Sequence, residues 1–198
     1  MIQKPDWLPA VEAELKTAYQ APGRAYHNWN HILYLLGEFH RLAAQWRKSA
    51  AVEAAIYWHD AIYDPTSNTN EADSAALMVE RLQGRADLQL ISDANDLILA
   101  TASHDVPQDM GDDLAKDCAL FLDMDMSILG ADPDLFDTYD QAIREEYIMI
   151  PDAIYRPRRA EVLIGFLNRE NLFLTDAYRR SHETKARDNL KRAIERLA

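Results

Sequence analysis

The sequence predicts an all-α fold, an irregular bundle of helices. Apolar residues recur at helical spacing along most of the chain, and no segment alternates convincingly as a half-buried strand does. The length of 198 residues suits one domain with a sizeable core. We therefore predict a single domain over 1–198, in which 24–130 carries the functional motifs and the helices of 133–198 support them.

Capping and helix-breaking residues define the first four helices. Asp6 is a candidate cap for the first helix and Asn28 for the second, because short polar side chains accept hydrogen bonds from the free N–H groups of a first turn. Pro65 is expected to stop the third helix, since proline has no N–H to donate. The turn at 68–70 precedes the fourth helix. The expected ranges are about 6–19, 28–46, 49–63 and, after that turn, up to residue 82.

Five further helices are expected in the rest of the chain. Gly130 and the pair Asp132–Pro133 are breaks between helical stretches. The last two helices carry arginine, glutamate and apolar stripes, which indicates a packing role. The expected ranges are about 88–103, 113–128, 133–148, 153–169 and 176–197.

Charge and composition limit the partners. The net charge is −12, so the surface is expected to repel nucleic-acid polymers and anionic membranes. A small phosphorylated substrate is compatible if a metal ion and a few arginines reverse the local field. Cys118 is the only cysteine, which excludes an internal disulfide and a multi-cysteine zinc site. Segment 1–7 lacks a signal-peptide apolar stretch and no apolar run reaches the length of a membrane span, so we expect a cytoplasmic protein.

Histidine and carboxylate residues recur in a fixed order. The order is Tyr26–His31, then His59–Asp60 with Asp64, then Asn70–Glu71, and finally Asp123–Asp125. Imidazole and carboxylate groups bind divalent cations. If these groups meet at one metal, the chain is predicted to be a hydrolase rather than a scaffold.

His27 and His31 are about one helical turn apart. If Asn28 is the cap, His27 lies just outside the helix, which favours His31 as a fixed ligand and His27 as a nearby proton donor. The alternative is a pair of ordinary histidines at a helix start.

The pair His59–Asp60 follows an apolar run over 54–58. Burying two ionisable groups at the end of such a run is costly unless they are paired, and a divalent cation would pair with both. The alternatives are a hydrogen bond between the two side chains or an exposed helix end.

The other acidic residues and His104 have open roles. Asp123 and Asp125 point in different directions on a helix, so one of them is expected to face the site. Asp64 and Glu71 are candidate site residues or helix caps. His104 is a candidate ligand of a substrate phosphate or of a second metal, or a histidine that interacts with a helix end.

This ordered set resembles the HD superfamily of metal-dependent phosphohydrolases over about 24–130. The resemblance implies an HD-domain-like helical bundle whose divalent metal is bound by His31, His59, Asp60 and Asp125. Asp125 is the matching aspartate because the segment Asp125–Gly130 is similar to the family segment that follows the last ligand. The whole set is most similar to a small bacterial branch of predicted HD phosphohydrolases.

Two finer resemblances imply roles around the metal. The segment Tyr26–His31 is similar to one in cyclic-nucleotide phosphodiesterases, which implies that His27 is the proton donor. Asp64 stands where the alarmone-hydrolase branch has an acidic residue that helps to activate water. The phosphodiesterases have a histidine at that position, so a second metal would here depend on Asp64, Glu71 or His104.

The resemblance therefore implies hydrolysis of a small phosphate ester, with a nucleotide as the expected substrate. Glu71 is expected to support the metal ligands or to act as an additional base. Mn, Fe, Co, Ni, Zn and Mg are all candidate metals, and a homo-oligomer stays open. The candidate phosphate-binding residues are Arg24, His104, Arg144, Arg158 and Arg159.

Two other functions stay open at this stage. One is an oxygen-using diiron protein, because some HD-fold proteins hold two irons. The other is a nucleotide-binding regulatory module that keeps the metal site without catalysis, because one fold hosts several functions.

Overall fold

The computed structural model describes residues 4–198, and all regular structure in that range is helical. The prediction of an all-α fold is confirmed. Within residues 4–198, no helix combines the length and the apolar character that crossing a membrane demands. The expectation for segment 1–7 falls partly on residues 1–3, which lie outside the described range. The α-helices are α1 (Leu8–Tyr19), α2 (Trp29–Arg41), α3 (Ser49–Trp58), α4 (Asn70–Leu82), α5 (Leu88–Ala100), α6 (Asp112–Asp125), α7 (Pro133–Glu146), α8 (Asp152–Leu167) and α9 (Asp176–Leu197), and a 3₁₀ helix spans Met126–Gly130.

The described part of the chain divides into two compact units, one up to residue 122 and the other from 123 to 198. The boundary falls inside α6, so the first unit contains α1 to α5 and most of α6. The second contains the last turn of α6, the 3₁₀ helix and α7 to α9. A single domain over 1–198, with a functional core and supporting helices, stays a prediction.

Helix α3 lies in the interior of the first unit. Its residues from Ala54 to Trp58 are all buried, as are Ala51 and Val52. It packs against α2, α4 and α5. A helix that is apolar around its circumference needs neighbours on all sides. The carboxyl end of α3, which leads into His59, is therefore buried as well.

Asp117 of α6 fixes the start of α3. Its carboxylate accepts hydrogen bonds from the backbone N–H of Arg47 at 3.1 and 3.0 Å and from that of Lys48 at 2.6 Å. Lys48 is the N-cap residue of α3, and its own side chain makes no capping bond. The buried carboxylate of a distant helix therefore caps α3, and its charge is favourable at the positive end of the helix dipole.

Helix α3 ends earlier than the sequence predicted, at Trp58 instead of near residue 63, and Pro65 is not what stops it. The hydroxyl of Tyr19 accepts a hydrogen bond from the N–H of Asp60 at 3.2 Å. The guanidinium of Arg24 donates to the carbonyl oxygens of Asp60 and Ala61. Side chains from elsewhere in the first unit therefore bind the backbone groups that further helical turns would have used.

Two other helix ends were also predicted wrongly. Trp7, not Asp6, is the N-cap of α1, and Pro9 lies in its first turn. Helix α2 ends at Arg41 instead of near Trp46. The indole N–H of Trp46 donates to the carbonyl oxygen of Phe39 at 2.9 Å, so a side chain satisfies a carbonyl of the last turn.

In the second unit, α9 packs against the 3₁₀ helix, α7 and α8. The sequence predicted one helix up to about 128, but α6 ends at Asp125 and the chain tightens into the 3₁₀ helix. Gly130 lies so close to α9 that a Cβ atom there would be 2.5 Å from the Cβ of His182. The side-chain amide of Asn189 donates to the carbonyl oxygens of Leu129 and Ala131 at 2.8 and 2.9 Å. These contacts hold the 3₁₀ helix against α9.

Candidate metal centre

His59 is buried and is the C-cap residue of α3. Its Nδ1 atom lies 3.0 Å from the carbonyl oxygen of Ile56. A carbonyl oxygen only accepts, so Nδ1 donates its hydrogen there, and the neutral ring then has its lone pair on Nε2. The end of α3 thus sets the tautomer and the orientation of this ring, as outer partners do for metal-binding histidines.

His31 places a second imidazole against the first. It lies in the first turn of α2 and is buried. Its Nε2 atom is 3.3 Å from Nε2 of His59. Two nitrogens that each bind one divalent cation at about 2.0–2.1 Å would lie roughly 2.8–3.0 Å apart in octahedral coordination and roughly 3.3–3.4 Å apart in tetrahedral coordination. The observed separation fits two ligands of one cation.

A carboxylate accompanies the imidazoles. Oδ2 of Asp60 lies 3.1 Å from Nε2 of His59. We call His31, His59 and Asp60 the His–Asp cluster. Lone pairs of imidazole and carboxylate groups that lie this close repel one another unless a proton or a cation lies between them.

The donor set of the cluster fits a divalent cation, and it narrows the choice of metal. Imidazole ligands favour first-row transition metals, whereas Mg²⁺ prefers carboxylate, carbonyl and water oxygens. Two imidazole nitrogens beside a carboxylate therefore suit Mn, Fe, Co, Ni or Zn better than Mg.

Helix α6 brings an aromatic ring to this region. Phe121 lies edge-on to the ring of His59, with ring centroids 5.9 Å apart. Asp125 follows one turn later on the same face of the helix and is the last residue of α6. Its place among the metal ligands stays a prediction.

Asp123 has a structural role. It is buried, and its two carboxylate oxygens accept hydrogen bonds from the N–H groups of Leu174 and Thr175 at 2.6 and 2.7 Å. Burial raises the pKa of Asp123, and these hydrogen bonds oppose the rise. Asp123 therefore holds the segment that leads into α9.

His27 lies outside α2, as the Asn28 cap predicted. The side-chain oxygen of Asn28 accepts from the N–H of Asn30 at 2.8 Å, which confirms the cap. The ring of His27 stacks on Tyr63 with centroids 4.4 Å apart and is 6.4 Å from the ring of His31. The His27 side chain is half-buried. It is therefore next to the cluster, held by an aromatic contact, and partly open to solvent.

Arg24 is bound to backbone carbonyls. One terminal nitrogen donates to the carbonyl oxygens of His27 at 3.0 Å and Asp60 at 2.6 Å, and the other donates to Ala61 at 3.0 Å. The guanidinium also lies over the rings of Tyr19 and Tyr63. The predicted phosphate contact would compete with these three hydrogen bonds.

Asp64 is exposed and closes a loop. One of its carboxylate oxygens accepts from the N–H and the hydroxyl of Thr66 at 2.8 and 2.7 Å. These hydrogen bonds lower the pKa of Asp64, which makes it a weaker base. Its backbone N–H and carbonyl pair with the side chain of Asn70 at the start of α4.

Glu71 and His104 are both partly buried. Glu71 lies in the first turn of α4, and His104 follows the end of α5. His104 has a positive φ of 51°, and its N–H donates to the carbonyl oxygen of Ala100 at 3.0 Å. A residue in the left-handed region thus closes the carboxyl end of α5. Among residues 4–198, no second group of three histidine, cysteine or carboxylate side chains lies within metal-binding reach. A second metal site at Asp64, Glu71 and His104 therefore has no support in the described residues.

The three arginines predicted from the second half of the chain have partners within the second unit. Arg144 donates to Asp152 at 2.7 Å and to the carbonyl oxygens of Tyr147 and Ile150. Arg159 is largely buried and pairs with Asp140 at 3.0 Å. Arg158 is exposed and pairs with Glu161 at 3.3 Å. Their role as phosphate ligands stays a prediction, and the observed contacts are those of structural ion pairs.

Two residues that hold this region were missed at the level of sequence. Tyr19 is buried, and its hydroxyl donates to the carbonyl of Tyr57 at 3.1 Å while it accepts from the N–H of Asp60. Tyr63 supplies the ring on which His27 stacks. The only sequence-level signal for Tyr19 is general, namely that a buried tyrosine hydroxyl needs a hydrogen-bond partner.

No protein-family model matches the chain, and no curated protein or solved structure matches it either. Function is therefore inferred from the side chains and their geometry.

Proposed function

We propose that this protein is a metal-dependent phosphohydrolase of the HD type. In this proposal His31, His59, Asp60 and Asp125 bind one divalent cation, and the substrate is a small phosphate ester, with nucleotides as the first class to test. One observation carries the proposal: Nε2 of His59 lies 3.3 Å from Nε2 of His31 and 3.1 Å from Oδ2 of Asp60.

The tautomer of His59 supports the proposal, because it leaves an acceptor atom, Nε2, facing His31 and Asp60. A neutral His59 ring has one N–H group, at Nδ1, and this group donates to the carbonyl oxygen of Ile56. Nε2 of His59 therefore has no hydrogen to donate to Asp60. If His59 were instead protonated on both nitrogens, it could pair with Asp60 but could not bind a metal. Metal titration therefore distinguishes the two states directly.

A bound divalent cation would polarise a phosphoryl oxygen and lower the pKa of a bound water towards neutrality. In hydrolysis, the water oxygen forms a bond to phosphorus and the bond from phosphorus to the leaving oxygen breaks. The leaving oxygen then needs a proton. His27 is suited to donate it, because its ring lies beside the cluster and is half-exposed, and histidine serves in proton transfer near neutral pH.

The proposal gives smaller roles to the other predicted residues. Asp64 is a poor candidate for the base because the Thr66 hydrogen bonds lower its pKa. Glu71 stays a candidate for supporting the ligands from the first turn of α4. Arg24 is left out of substrate binding because its donors are bound to carbonyl oxygens.

The test is a metal-dependent phosphatase assay on the purified protein. Metal-free protein is reloaded separately with Mn, Fe, Co, Ni, Zn or Mg and assayed with p-nitrophenyl phosphate, its bis-ester and a set of nucleotides. We expect turnover with at least one transition metal. Asp60→Asn should abolish it and lower metal content, because the carboxylate ligand is lost, whereas Asp96→Asn on the exposed side of α5 should change neither.

Other outcomes would replace the proposal. Wild-type activity in Asp60→Asn would show that the cluster is not the catalytic centre. Two redox-active irons per chain with no phosphatase activity would favour the diiron oxygenase. Nucleotide binding without turnover under every metal would favour the regulatory module.

A further inference from the structure

The backbone carbonyls of two separate segments converge on one guanidinium. Arg24 binds the carbonyl oxygen of His27 in the segment before α2, and those of Asp60 and Ala61 in the segment after α3. The first segment leads directly into the helix that carries His31, and the second contains the ligand pair His59–Asp60. A single side chain therefore links the two parts of the first unit that supply ligands.

Asp60 is held at both of its backbone polar groups. Arg24 donates to its carbonyl oxygen at 2.6 Å, and the Tyr19 hydroxyl accepts from its N–H at 3.2 Å. Tyr19 is in turn fixed by donating to the carbonyl of Tyr57 in the last turn of α3. Asp60 lies beyond the end of α3, so the direction of its side chain depends on these side-chain contacts.

The same guanidinium connects to the proposed proton donor. Its central carbon lies 5.1 Å from the ring centroid of Tyr19 and 5.4 Å from that of Tyr63, and His27 stacks on Tyr63. Arginine is well suited to this position because its planar fork presents several donors in a fixed geometry while its face packs on aromatic rings. Lysine would offer a point charge without either property.

We propose that Arg24, assisted by Tyr19, is a positioning residue of the metal centre. We call this arrangement the Arg24 clamp: the Arg24 guanidinium, the Tyr19 hydroxyl and the backbone of His27, Asp60 and Ala61. Its role is to set the separation between the His31 and His59–Asp60 ligands, and so the metal affinity, rather than to bind phosphate. This inference rests on the proposed metal centre.

The test measures metal binding in folded protein rather than activity alone. Co²⁺ is titrated into metal-free wild type, Arg24→Lys and Tyr19→Phe by calorimetry, and the optical spectrum of the Co²⁺ complex reports coordination geometry. Thermal unfolding of each metal-free protein reports stability. The matched control is Arg85→Lys, an exposed arginine of the same unit that also donates to a backbone carbonyl, that of Arg81.

We expect Arg24→Lys to raise the Co²⁺ dissociation constant by about 10- to 100-fold, the usual effect of losing an outer partner of a metal ligand, and to change the spectrum. Tyr19→Phe keeps the ring beneath Arg24 and should raise the constant by roughly 10-fold. If Arg24→Lys does not fold, Tyr19→Phe alone tests the proposal. Arg85→Lys should match wild type in affinity and spectrum.

Three results would overturn the inference. If Arg24→Lys keeps the wild-type affinity and spectrum but unfolds at a lower temperature, Arg24 has only a structural role. If Arg24→Lys keeps the wild-type Co²⁺ affinity but has a raised KM for phosphate esters, Arg24 is a phosphate ligand. No Co²⁺ binding by wild type would remove both the clamp and the proposed function. Co²⁺ binding without hydrolysis, with the expected loss in Arg24→Lys, would defeat only the proposed function and support the clamp.

Discussion

In the first unit, imidazole and carboxylate groups crowd together around one point, whereas in the second unit charged groups meet partners of opposite sign. Nε2 of His59 lies close to His31 and Asp60. In the second unit, by contrast, Arg159 pairs with Asp140 and Arg192 with Asp137. Acceptor atoms that converge are costly unless a proton or a cation joins them, while matched pairs satisfy themselves. Whether neighbouring groups are of like or opposite character therefore distinguishes a candidate site from scaffold more clearly than residue type does.

The two aspartates near the end of α6 give the sharpest test of this comparison. Asp125 is a direct ligand in the proposed metal centre, so Asp125→Asn should weaken metal binding by more than the roughly 100-fold that losing an outer partner can cost. Asp123→Asn should leave metal affinity unchanged but lower the free energy of unfolding by about 1–2 kcal/mol, because Leu174 and Thr175 lose a charged acceptor. Metal titration and urea unfolding of both variants check this. If both variants lose metal affinity to the same extent, the two aspartates do not differ in role.

Packing of the second unit predicts the next effect. Gly130→Ala would place a Cβ atom 2.5 Å from the Cβ of His182 and 2.9 Å from its backbone. We expect a loss of about 2 kcal/mol in the free energy of unfolding, because backbone must shift to relieve the overlap.

The control for this variant is Gly165→Ala. Gly165 lies inside α8 with no atom within 4 Å of the added Cβ position, so the change should stabilise by roughly 0.5–1 kcal/mol. Urea unfolding of both variants measures the difference. A Gly130→Ala protein as stable as wild type would show that α9 is not packed closely against the 3₁₀ helix.

Glu53 in α3 gives the smallest expected effect. Burial raises its pKa to about 7. The folded state then binds more protons than the unfolded state between about pH 4.5 and 7, so stability falls as pH rises through this range. The penalty is complete above about pH 7 and absent below about pH 4.5. A shift of this size would cost about 3 kcal/mol for a fully buried group, and we expect about 1 kcal/mol because Glu53 is only partly buried.

Glu53→Gln should therefore be more stable than wild type at about pH 8 and equal to it at about pH 4. Urea unfolding at the two pH values measures this, with the exposed Glu195→Gln as control. A stability difference that does not change with pH would contradict the assignment to burial of the charge.

The sequence predicted local structure well where local signals decide it. The Asn28 cap was predicted and confirmed, because its side chain bonds to the N–H of a residue two positions away. Helix α9 begins and ends where its apolar stripe predicted. The early end of α3 could not be predicted, because Tyr19 and Arg24 bind Asp60 and Ala61 from about 40 positions away in the chain.

The candidate site shows the same division. Helical geometry alone predicts that Asp123 and Asp125 point in different directions. That Asp123 binds the N–H groups of Leu174 and Thr175 depends on the tertiary position of these two residues, which no spacing rule contains. For Arg24, the sequence showed only a cation near the histidines. Its carbonyl partners come from the fold, so the predicted phosphate contact had no local signal against it.

Asp117 has a consequence for the order of folding. The two residues that precede the first turn of α3, Arg47 and Lys48, are bound by a carboxylate about 70 positions later in the chain. These hydrogen bonds form only after a long loop has closed, and closure of such loops slows folding. We expect α3, the helix that precedes His59, to gain its final protection against hydrogen exchange late. Nascent or partly refolded chains would then show near-native helix content before they gain affinity for an ion.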